Sequence, residues 1–504
     1  MRKELYMLRC FLGVDVGTTA LKVIAAEHTG RIIARSYEEY PLSHPRPDWA
    51  EQDAEIIWKT LLKEVEKVSK QMTPQQREGI RGIALSTQRS TMVPVDSAGV
   101  PLRKAITWMD GRSGTECAAL AESVGKETVY QNTGNTISTI WTLSYILWLR
   151  SHERELFEET SCFANIHAFL MRRLGCDGYY LDYSNAGETM MFDPLKKTWS
   201  SRMLDYAGVD ESKLPKLVDS GKMIGILDKE LAQRWGVPET VRLISGGGDQ
   251  QCAALGCSVA EEGDISIGMG TAANILALSA SCLKDRESIL IANPSVLPGK
   301  WFLEGSMIAC GPILNWVKDM AYQGEPADCV YQVMNEEAER LSVPGAHGVM
   351  LLPHFQGAGC PYWNEKARGV FSGITLSTLR ADLVRAVFEG LALDIGKSLQ
   401  KLGENGIRPK RIFLTGGASK SDVWCQIQSD IYGLPVFVPQ NPDVAAIGAL
   451  ILAALGEGTI DTLQKGMDAF VRIKKKYEPD LEKHRFYQSL MKESDDLYRR
   501  IAGV

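Results

Sequence analysis

The chain has 504 residues, of which 45% are hydrophobic, and its formal net charge is −6. This length exceeds what a single hydrophobic core usually organises, so two large domains are expected. The mild negative charge argues against a nucleic-acid partner, which would need a basic surface to neutralise phosphate groups.

Apolar stretches and cysteines exclude several further classes of protein. The longest apolar stretch, near residues 444–455, is interrupted by Gly448. A membrane-spanning helix needs about 20 apolar residues, so no membrane partner is predicted. Residues 1–11 fit a first β-strand better than a secretion signal, because Asp15 ends the apolar run and no small-residue cleavage site follows. The eleven cysteines contain no Cys-x-x-Cys pair, which favours free thiols and a cytoplasmic location.

The first half of the chain is predicted to open with a β-meander. Residues 11–16 and 21–26 are apolar and flank a turn, and residues 32–37 follow after further turn signals. The next predicted elements are a helix, two strands, a mainly helical region and a buried strand, over residues 54–70, 80–85, 92–95, 114–173 and 241–245.

The second half opens in the same way, with strands predicted over residues 265–268 and 274–278 around a glycine turn. A strand is predicted over residues 412–415, and the lysine run at 474–476 is expected to be a solvated loop. The predicted helices cover residues 312–321, 329–341, 379–402, 423–432, 444–455 and 481–501. We place the boundary near residues 252–262, which gives domains of residues 1–255 and 256–504.

The two hairpin turns carry residues suited to a polyphosphate. Gly17 is followed by Thr18 and Thr19, and Gly270 is followed by Thr271. Glycine lets backbone N–H groups turn toward an anion, and threonine hydroxyls add donors. Asp15 at the first turn suits a magnesium ion held through water. A simple tight turn is the alternative, and neither the P-loop nor the G-x-G-x-x-G pattern is present.

A glycine-rich segment, residues 245–251, contains the acidic residue that most strongly suggests a catalytic role. The buried strand runs into three glycines, which are followed by Asp249, Gln250 and Gln251. At the start of a helix beside a cleft, the Asp249 carboxylate can accept the proton of an attacking hydroxyl group. The alternative is that Asp249 only caps the helix.

Several motifs in the right order resemble the FGGY family of carbohydrate kinases over residues 11–458. Residues 369–374 and 382–390 have the form of the family's C-terminal signature, and residues 361–363 and 367–369 also resemble family sequence. Residues 415–419, followed by Trp424, Gln428 and Asp430, resemble the family's adenosine segment.

This resemblance implies an α/β fold of the actin-like class (sugar kinase/Hsp70/actin), with two ribonuclease-H-like domains around a central cleft. It implies ATP and Mg²⁺ as cofactors, Asp249 as the general base and Asp15 as the residue that organises magnesium. The residues that it implies along the nucleotide are Thr18, Thr19, Lys22, Gly270, Thr271, Gly311, Gly416 and Gly417.

The substrate pocket departs from each branch of the family that it resembles. Arg89 matches the Gln-Arg-Glu segment of glycerol kinases, but Ser90 replaces the glutamate. The Met-His pair of typical xylulokinases is also missing, and Tyr145 occupies the lysine position of the N-terminal signature. The residues predicted to bind the substrate are Arg89, Ser90, Trp108, Asp249 and Gln250.

We therefore expect an ATP-dependent kinase that acts on a small sugar or polyol, with a ketopentose such as xylulose favoured. The space left by Ser90 is compatible with a substrate larger than glycerol. A kinase for glycerol or a longer polyol and an autoinducer-2-type kinase remain alternatives. A non-catalytic ATP-binding regulator with the same fold is the alternative from another class, although it would not need Asp249. The sequence leaves a homodimer open.

Overall fold

The computed structural model describes residues 8–503, which form a mixed α/β protein built on two large sheets. The sheet of the first half has six strands. In spatial order they are Met223–Ile226, Arg242–Gly248, Ile80–Thr87, Cys10–Val16, Ala20–Glu27 and Ile32–Glu39.

The sheet of the second half has seven strands and a related arrangement. In spatial order they are Ile291–Pro294, Trp301–Met307, Ala273–Ser279, Asp264–Met269, Arg411–Gly416, Val436–Pro439 and Ile473–Tyr477. In both sheets the first strand of the opening hairpin pairs antiparallel with the second strand and parallel with a later one. The predicted similarity of the two openings is therefore present in the strand pairing.

Smaller sheets and helices cover the two large sheets. A four-stranded sheet contains Glu51–Gln52, Ala105–Ile106, Met92–Val95 and Cys162–Asn165. Two-stranded pairs join Phe192–Asp193 to Thr198–Trp199, Tyr180–Asp182 to Lys216–Val218, and Met350–Leu352 to Val370–Ser372.

The helices of the first half are Ala54–Gln71, Pro74–Glu78, Gly114–Ser123, Lys126–Thr133, Thr142–His152, Arg154–Glu159, Ile166–Leu174, Tyr183–Ala186, Ser201–Ala207, Lys229–Trp235 and Asp249–Gly256. Those of the second half are Gly311–Ala321, Val330–Arg340, Arg380–Glu404, Asp422–Tyr432, Val444–Glu457, Leu463–Phe470 and Leu481–Ala502. Within residues 8–503, no helix combines the length and apolar character needed to cross a membrane.

One helix of the second half, Val444–Glu457, packs against the sheet of the first half and against the helix Asp249–Gly256. The approach is so close that side chains would not fit. A Cβ at Gly13 would lie 2.3 Å from Ala446 O, and one at Gly448 would lie 2.0 Å from Cys252 O. This helix therefore joins the two halves immediately behind the strand that carries Asp15.

One sequence expectation needs correction. The lysine run at residues 474–476 is not a loop, because it lies in the edge strand Ile473–Tyr477. Exposed lysines are common on edge strands, where they oppose pairing with another chain. The region 114–173 is helical as predicted, except that the short strand Cys162–Asn165 interrupts it. The first strand begins at Cys10, and the part of that prediction over residues 1–7 lies outside the described residues.

Candidate functional site

The first hairpin places Asp15 and Lys22 directly opposite each other on neighbouring strands. Ser86, on the adjacent parallel strand, donates a hydrogen bond from its hydroxyl to Asp15 Oδ1 at 3.0 Å. Lys22 Nζ lies 3.2 Å from Asp443 Oδ1, at the start of the helix that joins the two halves. The predicted phosphate-binding lysine is therefore paired with a carboxylate in this structure.

The turn of the first hairpin contacts one of the predicted substrate residues. Trp108 Nε1 donates to Thr18 Oγ1 at 2.8 Å, and the Trp108 side chain is 39% exposed. Thr19, at the tip of the turn, is exposed. The predicted wall of the sugar pocket is thus attached to the predicted phosphate hairpin.

Asp249 lies where the central glycine-rich strand ends and a helix begins. The strand Arg242–Gly248 includes all three glycines, and a Cβ at Gly246 would lie 1.7 Å from Leu85 O. Gly248 is the N-cap of the following helix and Asp249 is its first residue, so the alternative that Asp249 is the cap is wrong. Asp249 Oδ1 accepts a hydrogen bond only one residue along, from Gln250 N at 2.8 Å.

The negative charge of Asp249 affects the ionisation of Asp15. Burial, reinforced by the negative charge of Asp249, raises the pKa of Asp15 to about 6. Burial also raises the pKa of Asp249, while the positive charge of Arg89 acts in the opposite direction. The structure therefore brings Asp15, Asp249 and Arg89 into one electrostatically coupled site.

Arg89 lies in a buried cluster that the sequence did not indicate. Its Nη1 donates to Glu188 Oε1 at 2.6 Å and to Glu304 Oε2 at 2.9 Å, and its Nε lies 3.7 Å from Asp249 Oδ1. The Ser90 hydroxyl donates to the backbone oxygen of Glu188 at 2.5 Å. Ser90 is therefore engaged with the protein backbone beneath this cluster.

Gln250 points in a different direction from Arg89. A Cβ at Gly268, on the second hairpin, would lie 3.5 Å from Gln250 Oε1 and 3.5 Å from Thr415 Oγ1. Gln250, predicted to bind the substrate, is thereby placed beside the strands of the second half, at the cleft between the two sheets.

A cavity of about 420 Å³ lies at the second hairpin. Four of the predicted nucleotide residues line it, namely Gly270, Thr271, Gly311 and Gly417. Gly416 lies just outside the lining and has a φ of 83°, which a side chain would strain. Further lining side chains are Leu314, Asn315, Tyr331, Met334, Asn335, Phe388, Lys420, Ser421 and Trp424.

The turn of the second hairpin is held against a helix start. Gly311 N donates to Gly270 O at 2.9 Å, and Cys310 N donates to Thr271 O at 2.8 Å. A Cβ at Gly311 would lie 2.8 Å from Gly270 O, so glycine is required for this approach. The helix Gly311–Ala321 thus begins at the cavity wall.

Two models of one protein family match the two halves of the chain that border this cleft. The model described as "FGGY family of carbohydrate kinases, N-terminal domain" matches residues 10–256, and the corresponding C-terminal domain matches residues 265–457. The chain belongs to the FGGY family of carbohydrate kinases.

Named relatives within this family differ in substrate. The chain is 29% identical to the xylulose kinase of Staphylococcus epidermidis over 97% of this chain and 96% of that protein. It is 31% identical to the glycerol kinase of Symbiobacterium thermophilum over 89% of each chain. It is 27% identical to the gluconokinase of Bacillus subtilis over 96% of this chain and 94% of that protein.

Solved structures show the same architecture. The xylulose kinase from Rhodospirillum rubrum superposes with a TM-score of 0.91 at 27% identity, covering 98% of this chain and 99% of that one. The predicted actin-like fold, with two domains around a cleft, is confirmed. As an FGGY carbohydrate kinase, the protein is an ATP-using enzyme that acts on small-molecule sugars.

The residues that most clearly identify the FGGY family are largely structural. In the signature helix Arg380–Glu404, Arg385 Nε donates to Glu389 Oε1 at 2.8 Å, and Glu389 also accepts bonds from Gly345 N and the Tyr487 hydroxyl. Phe388, from the same helix, reaches the cavity wall and stacks on Trp424 with ring centroids 4.6 Å apart. The signature helix therefore supports one wall of this cavity.

The acidic groups of the cleft fit a hydrated magnesium ion better than a fully protein-bound one. Among residues 8–503, no three His, Cys, Asp or Glu side chains are arranged to enclose a metal. Mg²⁺ usually keeps several waters and binds one or two carboxylates together with substrate phosphates. Asp15, which faces Asp249 and has one hydrogen-bonded oxygen, is compatible with that mode.

Sequence reasoning missed several residues around the cleft. Glu188 lies in the short turn Gly187–Thr189, and Glu304 lies in an ordinary buried strand, so neither has a local signal. Asn335 and Tyr331 line the cavity from the helix Val330–Arg340, whose pattern indicates only an amphipathic helix. Ser184 lies in the short helix Tyr183–Ala186, and its role appears only through its contact with Gly248.

Proposed function

We propose that this FGGY kinase transfers the γ-phosphate of ATP to a hydroxyl group of a ketopentose such as xylulose, with Asp249 as the general base. The observation that carries the proposal is the position of Asp249. It starts a helix after a strand of glycines and lies beside Arg89, and its charge contributes to the raised pKa of Asp15. The xylulose kinases among the relatives favour a ketopentose.

Asp249 has the surroundings of a base that can be reached by a substrate. Its side chain is 27% exposed, so the carboxylate meets the cleft instead of being enclosed. The Gln250 N–H and the nearby Arg89 leave acceptor capacity free on the carboxylate. A sugar hydroxyl hydrogen-bonded there would lose its proton to Asp249 as it attacks phosphorus.

The nucleotide side supplies positioning. We assign Gly270, Thr271, Gly311 and Gly417 to ATP, since they line the cavity, with Gly416 shaping its edge. Thr18, Thr19 and Lys22 would approach the phosphates from the first hairpin, which requires Lys22 to exchange its partner Asp443. Mg²⁺, organised by Asp15, would neutralise charge on the transferring phosphate.

The substrate is tested by a panel. ADP release from Mg-ATP is measured with ketopentoses, aldoses, polyols, gluconate and glycerol, for the wild type and for Asp249→Ala. We expect the highest kcat/KM with a ketopentose and a loss of about 10²–10⁴-fold in the variant. Asp205→Asn, at an exposed aspartate of the helix Ser201–Ala207, serves as the control.

The outcomes separate the alternatives. Turnover of glycerol or a longer polyol alone would replace the ketopentose assignment, and turnover of a sugar outside the panel, such as an autoinducer-2-type ketose, would do the same. Full activity of Asp249→Ala would overturn the assignment of the base. ATP binding without any phosphoryl transfer would favour a regulator over an enzyme.

A further inference from the structure

The cluster around Arg89 contains more negative than positive charge. Glu188, Glu304 and Asp249 all lie within 4 Å of the guanidinium, at 2.6, 2.9 and 3.7 Å. Arg89 is the only cation in contact with these three carboxylates in the salt bridges of the described residues. Its positive charge is therefore already committed to the protein before any substrate arrives.

The two glutamates come from opposite halves of the molecule. Glu188 lies in the turn Gly187–Thr189 of the first half, and Glu304 lies in the strand Trp301–Met307 of the second half. They are only 5% and 4% exposed, respectively. The cluster thus spans the cleft at the level of Asp249.

Amide donors prevent the glutamates from turning away. Asn293 Nδ2 donates to Glu188 Oε1 at 2.5 Å and to Glu304 Oε1 at 3.2 Å. Gln251, two residues after Asp249, donates to Glu304 Oε1 at 2.8 Å. Because these donors are themselves buried, the carboxylates are fixed against Arg89.

Ser90 explains why Glu188 fits here. Ser90 has a φ of 56° and its hydroxyl bonds to the backbone oxygen of Glu188. A small side chain at position 90 leaves room for that backbone to pass beneath Arg89. The acidic partner of Arg89 is therefore supplied by Glu188 and Glu304 and not by the residue that follows Arg89 in the sequence.

We propose that Glu188 and Glu304 make the acceptor site selective for uncharged sugars and polyols and exclude sugar acids such as aldonates. The proposal rests on the proposed function, which places the acceptor hydroxyl at Asp249 beside Arg89. A substrate carboxylate near Arg89 would meet a guanidinium already paired with two glutamates, and it would be repelled by the excess negative charge. Hydroxyl groups carry no such penalty.

The protonation state of Glu188 does not reverse this argument. Burial raises the pKa of Glu188, while the neighbouring guanidinium of Arg89 opposes that shift. If Glu188 carried a proton, Glu304 and Asp249 would still outnumber Arg89. The excess charge would be smaller but of the same sign.

The test uses charge-removing variants of nearly unchanged shape, Glu188→Gln, Glu304→Gln and the double variant. Gluconate and xylulose binding are measured by calorimetry, and kcat/KM is measured for both. We expect the wild type to favour xylulose by on the order of 100-fold. The double variant should raise the gluconate-to-xylulose ratio at least about tenfold, and each single variant should raise it less, because each change removes one acidic partner of Arg89.

Glu64→Gln serves as the matched control, because Glu64 is a buried glutamate that pairs with Lys67 in the helix Ala54–Gln71. The gluconate-to-xylulose ratio of Glu64→Gln should equal that of the wild type. The proposal is overturned if the wild type prefers gluconate, or if gluconate binds no more tightly to the variants than to the wild type. Neither outcome touches the kinase assignment, which fails only if no acceptor is phosphorylated. Full activity of Asp249→Ala would overturn only the assignment of the base.

Discussion

The side of the cleft that we assign to the nucleotide and the side that we assign to the acceptor are built in different ways. The nucleotide cavity is an open space of about 420 Å³, lined by glycines and by uncharged side chains apart from Lys420. The acceptor side has a buried charge cluster in which Arg89 is held by Glu188 and Glu304 from the two halves. The first region offers space and backbone groups, and the second offers fixed charges.

This difference separates what the family shares from what distinguishes its members. Backbone N–H groups and glycine turns bind phosphate whatever the acceptor is, so short local motifs are sufficient to encode them. Selection among sugars depends on side chains that meet across the cleft from distant parts of the sequence. The following predictions test this division.

The largest effect is expected from Asp15→Asn, which should affect both sides. Activity should fall by about 100-fold or more, because the carboxylate that we assign to magnesium is lost. The apoprotein should become more stable at pH 8, by up to about 3 kcal/mol, because a buried carboxylate with a raised pKa no longer has to ionise. Denaturant unfolding without nucleotide and magnesium measures the second effect.

The pH dependence of this gain follows from the sign of the shift. The native state binds the Asp15 proton more tightly than the unfolded state, so this group contributes stability below pH 4 and loses it as the pH rises through about 6. The advantage of Asp15→Asn should therefore shrink from pH 8 toward pH 4. If the stability difference between Asp15→Asn and the wild type were constant with pH, or changed in the opposite direction, the pKa of Asp15 would not be raised in the folded protein.

A smaller effect, confined to the nucleotide side, is expected from two adjacent glycines. A Cβ at Gly417 would lie 3.8 Å from Met269 O, whereas one at Gly416 would lie 2.2 Å from it. Gly417→Val should fold normally and raise the KM for ATP about tenfold by filling the cavity. Gly416→Val should lower stability by at least about 1–2 kcal/mol, because its φ is positive.

Thermal unfolding and ATP titration distinguish these two variants. Equal loss of stability in both would mean that Gly417 is also needed for the backbone. An unchanged KM for ATP in Gly417→Val would remove Gly417 from the nucleotide site. The KM for the sugar should change less than the KM for ATP in this variant.

The pH profile should report the coupled acids directly. Since the pKa of Asp15 is about 6, kcat/KM for Mg-ATP should decrease as the pH falls below about 6. The raised pKa of Asp249 acts in the same direction. An isolated carboxylate would place this decrease near pH 4. Activity that stays constant down to pH 5 would contradict the raised pKa values of these two residues.

The smallest effect is expected from Ser184→Ala, on the acceptor side. The Ser184 hydroxyl accepts a hydrogen bond from Gly248 N at 2.9 Å and donates to Asp182, so it positions the residue before Asp249. Loss of this partner should cost about 1–3 kcal/mol of stability. We expect kcat to fall severalfold while the KM for ATP is unchanged.

Ser123→Ala is the control for this variant, because the Ser123 hydroxyl bonds only to the backbone of its own exposed helix. A lower stability with an unchanged kcat would make Ser184 purely structural. A raised KM for ATP would mean that the change reaches the nucleotide side, which the division above does not allow.

Much of the fold was predictable because its periodic signals are strong. The predicted strand 92–95 and the opening hairpins agree with the structure to within a few residues, as does the helix Val444–Glu457. The lysines at 474–476 were assigned wrongly, since an exposed edge strand with charged side chains has the composition of a loop. The boundary between domains 1–255 and 256–504, the homodimer and the cytoplasmic location stay predictions.

The candidate site was only partly predictable. Residue types alone reveal the turns at Gly17 and Gly270 and the acid at Asp249. The structure places these three features around one cleft. The roles that we assign to them stay predictions. The pairing of Lys22 with Asp443 and the direction of Gln250 depend on contacts between distant segments, which no local pattern records.

The sequence alone determined the family, the two hairpin turns that contain Gly and Thr, and the acid after the glycine-rich strand. Each of these depends on a few neighbouring residues with special backbone or chemical properties. Only the tertiary structure decided the surroundings of Arg89. Glu188 is 99 residues and Glu304 is 215 residues away from Arg89 in the sequence. No local sequence pattern marks either glutamate as a partner of Arg89. Electrostatic energy depends on distance in space, so the charge of the acceptor site is a property of the folded chain.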